Sequence, residues 1–404
     1  MKPRAMEESI RAYKHTYRDY IAIIVVALFL KFSYFFCAYF IYPVEGKKSI
    51  SLNYYTYTLN KNDSGWYQGI VENGYPKLSN SREIGYCDST GQKQSSWAFF
   101  PLYPLLVKVL MYIPGITFNG SALIWSYIFS LLCFCLLYYF FRAIEMKRET
   151  ALLATMIIML MPNHYYFSVF YTESIFLSFL LLSFIAIRKK KYILLSIASS
   201  FLILSRPNGI ISFVPLGLYL LEQENILHSI YKIRFRELSI RKILPFISFI
   251  PALILFGLYC VYQKANTTEY FAFAIAQQGW CKVTTYPWKS FFIDSTLGIQ
   301  YNSIYGIVFI LLFIILSIRY HMRLSFVILI FFTLFFPLVK GTCGGLSRYC
   351  SVLFPFFLYF TMLLSDFISR STNYKMIWIL FFLLIYIAQL YMYSYFLYSH
   401  NLSH

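Results

Sequence analysis

Long apolar runs, separated by short polar clusters, recur along the whole sequence. The first run, residues 21–42, reads IAIIVVALFLKFSYFFCAYFIY. A helix needs about 20 apolar residues to cross the hydrocarbon core of a bilayer, and several runs approach that length. Because 59% of the 404 residues are hydrophobic and only 13% are charged, the chain is predicted to be an all-α, polytopic membrane protein.

The formal net charge of +18 would suggest nucleic-acid binding in a soluble protein. Here, however, the lysines and arginines form short clusters between apolar runs, and the positive-inside rule accounts for them. Nucleic acid is therefore excluded as a partner. With all basic clusters on the cytoplasmic side, the N-terminus lies inside, the C-terminus lies outside, and eleven spans are predicted. These spans cover residues 21–42, 121–141, 151–170, 174–188, 192–204, 210–222, 243–262, 303–318, 324–340, 349–367 and 376–397.

This topology predicts a single domain, 1–404, with two large outer segments at 43–120 and 263–302. Residues 97–115 are apolar but contain three prolines and Lys108, which suits an interfacial helix better than a span. Short outer turns complete this side at 171–173, 205–209 and 341–348. Nearly every unusual polar motif falls in these outer segments, so chemistry is expected there.

The first outer segment contains the motif NDSGWYQGIVENGY, which presents two acids. Asp63 could accept a proton from a sugar hydroxyl, or it could simply cap a helix. Glu72 is expected to share a helical face with Asp63, with a plain polar role before Gly74 as the alternative. Trp66 and Tyr67 could stack on sugar rings or anchor the segment at the membrane interface.

Three further charged residues are expected at outer span ends. Glu173 is a candidate site residue because an acid at a membrane boundary is costly unless it is paired or hydrated; helix capping is the alternative. Arg206 in SRPNG and Arg348 in GTCGGLSRYC could bind a phosphate through bidentate hydrogen bonds. Each arginine could instead reach to the lipid headgroups.

The second outer segment offers Gln278 and Trp280, which suit carbohydrate binding or an ordinary interfacial belt. No His and Cys spacing is typical of a metal site, so no metal ligand is predicted. Cys87, Cys281, Cys343 and Cys350 fall on the outer side, where a disulfide is possible, but the sequence does not pair them.

Six phrases in order, NDSGWYQGIVENGYP, WAFFPLYPLLVKVL, FYTESIFLSF, LSRPNGI, FAFAIAQQGW and SRYCSVLFPFF, resemble the PIG-V family of integral-membrane mannosyltransferases in the GT-C superfamily. The resemblance covers about residues 60–360, and the motifs are closer to those of bacterial relatives. Eukaryotic members of the family are similar to the enzyme that adds the second mannose to the glycosylphosphatidylinositol precursor.

The resemblance implies a GT-C-like fold and inverting transfer of a sugar, mannose in that family, from a polyprenyl- or dolichyl-phosphate donor. It implies Asp63 as the catalytic residue and a glycolipid or surface glycan as acceptor. The active site would face away from the cytoplasm, in a bacterial plasma membrane or the endoplasmic reticulum. No cofactor beyond this donor is implied, and the oligomeric state stays open. A transporter or flippase of lipid-linked sugars is the alternative, for which polar residues at mid-membrane and a repeat would be expected.

Overall fold

The computed structural model describes residues 3–41, 51–227, 240–281, 284–292, 297–341 and 343–398. Almost all of this chain is helical, as predicted. A single short hairpin, β1 Tyr86–Asp88 paired with β2 Gly91–Lys93, interrupts the helices of the described chain. Part of the basic cluster at 232–242 lies outside the described residues.

The helices alternate between long elements and short elements that join them. In chain order they are α1 Pro3–Ile41, α2 Leu52–Leu59, α3 Asp63–Asn73, α4 Ser81–Ile84, α5 Leu102–Met111, α6 Phe118–Ala143, α7 Arg148–Leu160, α8 Glu173–Arg188, α9 Tyr192–Ser205, α10 Pro207–Ile211, α11 Phe213–Gln223, α12 Ile240–Ile243, α13 Ile250–Thr267, α14 Ala272–Ala276, α15 Leu297–Tyr320, α16 Leu324–Val339, α17 Leu346–Ser351, α18 Phe354–Ile368 and α19 Tyr374–Tyr398. Short 3₁₀ helices occur at Ser96–Ala98, Pro162–Phe167, Leu244–Phe249, Gln277–Trp280 and Pro287–Phe291.

Five helical stretches of the described chain are long and apolar enough to cross a bilayer. They are Thr16–Phe40, Phe118–Ala143, Ile240–Thr267, Tyr301–Tyr320 and Tyr374–Tyr398. The other six predicted spans coincide with helices of only 11 to 16 residues. Such helices are shorter than the roughly 20 residues that a full crossing needs. The chain is a multi-pass membrane protein, and the count of eleven spans stays a prediction.

The long helices pack against one another in pairs. α8 packs against both α6 and α9, and α13 packs against α9. α11 packs on α16, α7 on α18, and α1 on α19. The predicted interfacial stretch 97–115 forms α5, which has ten residues and packs against α6. Ser121 and the indole of Trp125 donate hydrogen bonds to carbonyls of α5, which fixes it there.

The motif SRPNG breaks the chain between α9 and α10. Pro207 takes the first position of α10, where its missing N–H costs nothing. Arg206 before it is extended, with φ −171° and ψ 164°, as the residue before a proline prefers. Gly209 lies so close to α9 that an added Cβ would be 2.2 Å from the Leu202 carbonyl oxygen. The break therefore holds Arg206 at a fixed place between two packed helices.

Residues 161–172 connect α7 to α8 without regular α-helix, and other helices satisfy their polar groups. The amide of Gln389 donates to the carbonyls of Met159 and Met161 at 2.9 and 3.0 Å. Lys31 donates to Ser168 at 2.6 Å. Irregular backbone is tolerated at membrane depth only where protein buries and pairs it. The segment thus enters α8 in a fixed conformation and sets the position of Glu173.

The basic turns gather at the end of the molecule opposite Glu173. Glu173 begins α8 and Arg188 ends it, so the 16 residues separate them by about 24 Å. Ion pairs join the turns at the Arg188 end. They are Arg148–Asp19, Arg188–Glu145, Lys190–Glu224 and Arg319–Asp366. The turns that these ion pairs join therefore share one end of the molecule.

Candidate active site

A cavity of about 560 Å³ lies at the Glu173 end of the molecule. Segments far apart in sequence contribute to its wall. The charged lining residues are Asp63, Arg206, Lys340 and Arg348. Aromatic and apolar side chains form most of the remaining lining, which is the usual composition of a small-molecule site.

Arg348 connects two acids from different helices. Its Nη1 donates to Oδ2 of Asp63 at 2.5 Å, and its Nε donates to Oε1 of Glu173. The three residues come from α17, α3 and α8. Because the guanidinium is planar and its donors are fixed, both bonds determine its orientation.

Glu173 also accepts a hydrogen bond from Arg206, at 2.9 Å. Its side chain is 0% exposed, and it does not line the cavity. Glu173 therefore contacts the two arginines from the protein interior, and its carboxylate offsets part of their positive charge. The helix-cap alternative does not describe this residue, because its carboxylate is engaged with arginines and α8 has no side-chain cap.

Asp63 faces the cavity with one oxygen available. It is the first residue of α3, and Asn62, not Asp63, occupies the N-cap position. Within the described residues, Oδ2 takes the Arg348 bond and Oδ1 has no hydrogen-bond partner. Asn62 has φ 53° and ψ −115°, a conformation that is costly for a residue other than glycine and that occurs often at functional sites. This turn directs Asp63 into the cavity.

Two tyrosines hold the Arg348 guanidinium from the other side. Its carbon lies 4.2 Å from the ring centre of Tyr171 and 5.6 Å from that of Tyr166. The two rings stack with centroids 5.7 Å apart. Burial lowers the pKa of Arg348, but the carboxylates of Glu173 and Asp63 outweigh it and hold the pKa well above the ordinary value. The guanidinium is therefore charged at any physiological pH.

Aromatic residues form the wall next to Asp63. Tyr67, Phe99 and Trp280 line the cavity. Trp66 lies behind them, stacked on Phe99 at 5.9 Å and edge-on to Trp280 at 5.8 Å. Trp66 therefore supports this wall, and Trp280 presents a ring to the cavity itself.

Two residues selected from the sequence lie away from the cavity. Glu72 is exposed and accepts a hydrogen bond from Gln68. The expected shared face with Asp63 is wrong, because nine residues make two and a half helical turns and bring Glu72 to the opposite side of α3. Gln278 is exposed as well, whereas its neighbour Gln277 lines the cavity.

Lys340 is a functional candidate that the sequence reasoning did not select. It follows the last residue of α16 and lines the cavity. The sequence does indicate Lys340, because a lysine at an outer span end opposes the positive-inside bias, as the two arginines do. The sequence does not show that Gln277 faces the cavity, because this depends on the orientation of its 3₁₀ turn.

A disulfide fastens the wall that carries Gln277 and Trp280. Cys87 in β1 is bonded to Cys281, across a sequence separation of 194 residues. Gly279 packs against the hairpin so tightly that a Cβ would lie 2.2 Å from the Lys93 carbonyl oxygen. The other two candidate cysteines, Cys343 and Cys350, are buried free thiols.

This arrangement combines a carboxylate that can accept a proton with a cluster of cations that can bind an anion. Three cations face two carboxylates, so the described part of the site carries a net positive charge. The described residues contain no group of three or more His, Cys, Asp or Glu that could hold a metal ion. Asp63 contacts Arg348, and Arg348 and Arg206 both contact Glu173.

No protein-family model matches the sequence, and no curated protein matches it either. Among solved structures, the chain is similar to the oligosaccharyltransferase AglB from Archaeoglobus fulgidus in complex with an inhibitory peptide and a dolichol-phosphate, and to an Archaeoglobus fulgidus oligosaccharyltransferase in the apo form. Their sequence identities are 12% and 13%, and the TM-scores are 0.46 and 0.48. Each alignment covers 95% of this chain and 56% of the neighbour, so the chain spans just over half of their length.

Proposed function

We propose that the protein is a glycosyltransferase that moves a sugar from a lipid-phosphate donor to a hydroxyl acceptor with inversion. The observation that carries this proposal is the position of Arg348, which bridges Asp63 at the cavity and Glu173 behind it. A base and an anion-binding group thereby lie side by side, and glycosyl transfer from a phosphate needs both.

Asp63 is the base in this proposal. The acceptor hydroxyl gives its proton to Oδ1 of Asp63 while its oxygen bonds to the anomeric carbon of the sugar. The bond from that carbon to the phosphate oxygen breaks, and the electron pair leaves with the phosphate. Attack on the face opposite the leaving group inverts the configuration, as in the inverting glycosidases.

The arginines stabilise the phosphate that departs. A phosphate leaving group gains charge as the bond breaks, so fixed cations favour the transition state over the ground state. Glu173 holds Arg348 and Arg206 in place before the donor binds, and little reorganisation is then needed. Binding of the arginines to lipid headgroups alone would not require this buried carboxylate.

The aromatic wall supports a sugar or a glycolipid acceptor. Trp280 and Tyr67 line the cavity beside Asp63, and flat rings suit the apolar faces of sugars. Mannose as the transferred sugar, and a PIG-V-type GT-C enzyme formed by a single domain, are proposed from the motif resemblance described above.

Two observations support a cavity that faces away from the cytoplasm. The basic turns lie at the opposite end of the molecule, and lysine and arginine favour the cytoplasmic side. The Cys87–Cys281 disulfide lies at the cavity end, and disulfides persist in oxidising compartments.

The test is transfer by purified protein in phosphatidylcholine nanodiscs. Radiolabelled polyprenyl-phosphate mannose and extracted lipids are supplied, with GDP-mannose as the control donor. Label should appear in a new product only from the lipid donor, and Arg348→Lys should lose most of this activity because an ammonium cannot make both fixed hydrogen bonds. Transbilayer movement of the donor without any product would support the transporter alternative and contradict the proposal.

A further inference from the structure

Lys340 differs from the two arginines of the site in having no partner in the described part of the chain. Arg206 and Arg348 are both engaged with carboxylates. Among the residues that the structure describes, no hydrogen bond or ion pair involves the Lys340 ammonium, although the residue is half-buried and lines the cavity. The two arginines and the two acids balance, and Lys340 supplies the remaining positive charge.

The C-terminal end of α16 carries apolar side chains next to the charge of Lys340. Phe336 and Pro337 line the cavity together with Lys340. Positions three and four residues apart share one face of a helix, so the ammonium and the apolar side chains border one strip of the wall. Phe336 is 40% exposed, so this strip is accessible to a ligand. Ile210 and Ile211 of the α10 region line the cavity as well.

We infer that Lys340 binds the phosphate of an isoprenoid phosphate whose first isoprene units lie against Phe336, Pro337, Ile210 and Ile211. This inference rests on the proposed function and adds to it a donor-binding residue and the direction of the lipid tail. Gly344 and Gly345, which carry no side chains, line the same cavity as Lys340 and Arg348. The phosphate then contacts Lys340 on the tail side and Arg348 on the sugar side.

Lys340 acts on binding and Arg348 on the reaction in this scheme. The ammonium contacts the phosphate equally before and during transfer, because it lies on the side away from the bond that breaks. Loss of such uniform binding raises KM and leaves kcat nearly unchanged. A lysine at a helix C-terminus can also stabilise the helix itself. If Lys340 had only that role, its replacement would lower the stability of α16 without weakening ligand binding.

Binding of farnesyl phosphate to the full chain in phosphatidylcholine nanodiscs tests the inference, with farnesol and inorganic phosphate as separate arms. Lys340→Gln should weaken farnesyl phosphate about tenfold, the usual effect of removing a hydrogen bond to a charged group. The variant should also weaken inorganic phosphate and leave farnesol binding unchanged. Phe336→Ala should weaken farnesyl phosphate and farnesol but not inorganic phosphate.

Lys289→Gln is the matched control. Lys289 is exposed on the 3₁₀ turn Pro287–Phe291, which packs on the same helix and does not line the cavity, so this variant should bind like the wild type. Equal binding of farnesyl phosphate by Lys340→Gln and the wild type would overturn the inference, as would an equal loss in Lys289→Gln. The binding assay does not depend on sugar transfer. If the protein had no transferase activity but its binding still depended on Lys340, the proposed function would be contradicted and this inference would be supported.

Discussion

Arg348 donates a 2.5 Å hydrogen bond to Asp63 across 285 positions of sequence. The acid side chain is 29% exposed and the arginine 16%, so the pair lies at the boundary between the packed interior and the cavity. A surface pair of this kind would contribute little stability. In the proposed function the pair aligns the base with the anion-binding group, so we expect its loss to affect activity more than stability.

Replacement of Glu173 by glutamine should destabilise the protein. The change leaves two arginines near a neutral amide in a site where the carboxylate is fully buried. Breaking a buried pair by removing one partner costs about 3–5 kcal/mol. The free energy of unfolding, followed by thermal or denaturant unfolding in detergent, should fall by that amount.

Glu145→Gln provides the control for that change. Glu145 pairs with Arg188 but is 81% exposed, so its loss should cost less than about 1 kcal/mol. Equal stability of Glu173→Gln and Glu145→Gln would contradict the role of Glu173 as the buried counter-ion.

Gly209→Ala should separate α9 from α10 and displace Arg206. The added Cβ would meet the Leu202 carbonyl oxygen at 2.2 Å, and backbone atoms cannot move aside cheaply. Overpacking of this kind costs about 1–3 kcal/mol. Transfer activity and the unfolding midpoint should both fall.

Gly257→Ala is the matched glycine variant. Gly257 lies within α13, and an added Cβ there meets nothing within 4 Å. The helix should gain up to about 1 kcal/mol from the better propensity of alanine. If Gly209→Ala matched Gly257→Ala in stability and activity, the break at Arg206 would not depend on this close contact.

Loss of the disulfide should loosen the wall that carries Gln277 and Trp280. Cys87→Ser, Cys281→Ser and the double variant should lose the same stability, about 2–4 kcal/mol, because each removes the same bond. KM should rise in all three. A reductant should reproduce this effect in the wild type and add nothing in the variants.

Cys135→Ser controls for the loss of a thiol, since Cys135 is a free cysteine in α6. This variant should remain sensitive to the reductant. Different KM values for Cys87→Ser and Cys281→Ser would show that the bond between them does not position the wall.

The sequence indicated the charged centre of the site because charged residues are unusual at these positions of a mostly apolar chain. Asp63, Arg206 and Arg348 stand out in a chain with few charges, and positive residues on the outer side oppose the usual bias. The predicted helical membrane architecture also follows directly from the apolar runs. A charge that is costly beside a membrane is therefore recognisable from the sequence alone.

Orientation and long-range pairing could not be obtained in the same way. Gln277 lines the cavity and its neighbour Gln278 is exposed. Which of the two faces the cavity depends on how their helical turn packs. The partner of Cys87 depends on where two distant segments meet. The short helices near the site also leave the number of full crossings undetermined by hydropathy, because burial in protein replaces length.

Comparison of Asp63→Asn with Glu72→Gln tests whether Asp63 is the catalytic base, because both variants replace an acid by its amide on α3. The rate of sugar transfer from polyprenyl-phosphate mannose is measured at saturating donor, with the unfolding midpoint followed in parallel. Asp63→Asn should lower kcat at least about 100-fold, the typical contribution of a general base, while Glu72→Gln keeps the wild-type rate. Wild-type kcat in a folded Asp63→Asn protein would contradict the account.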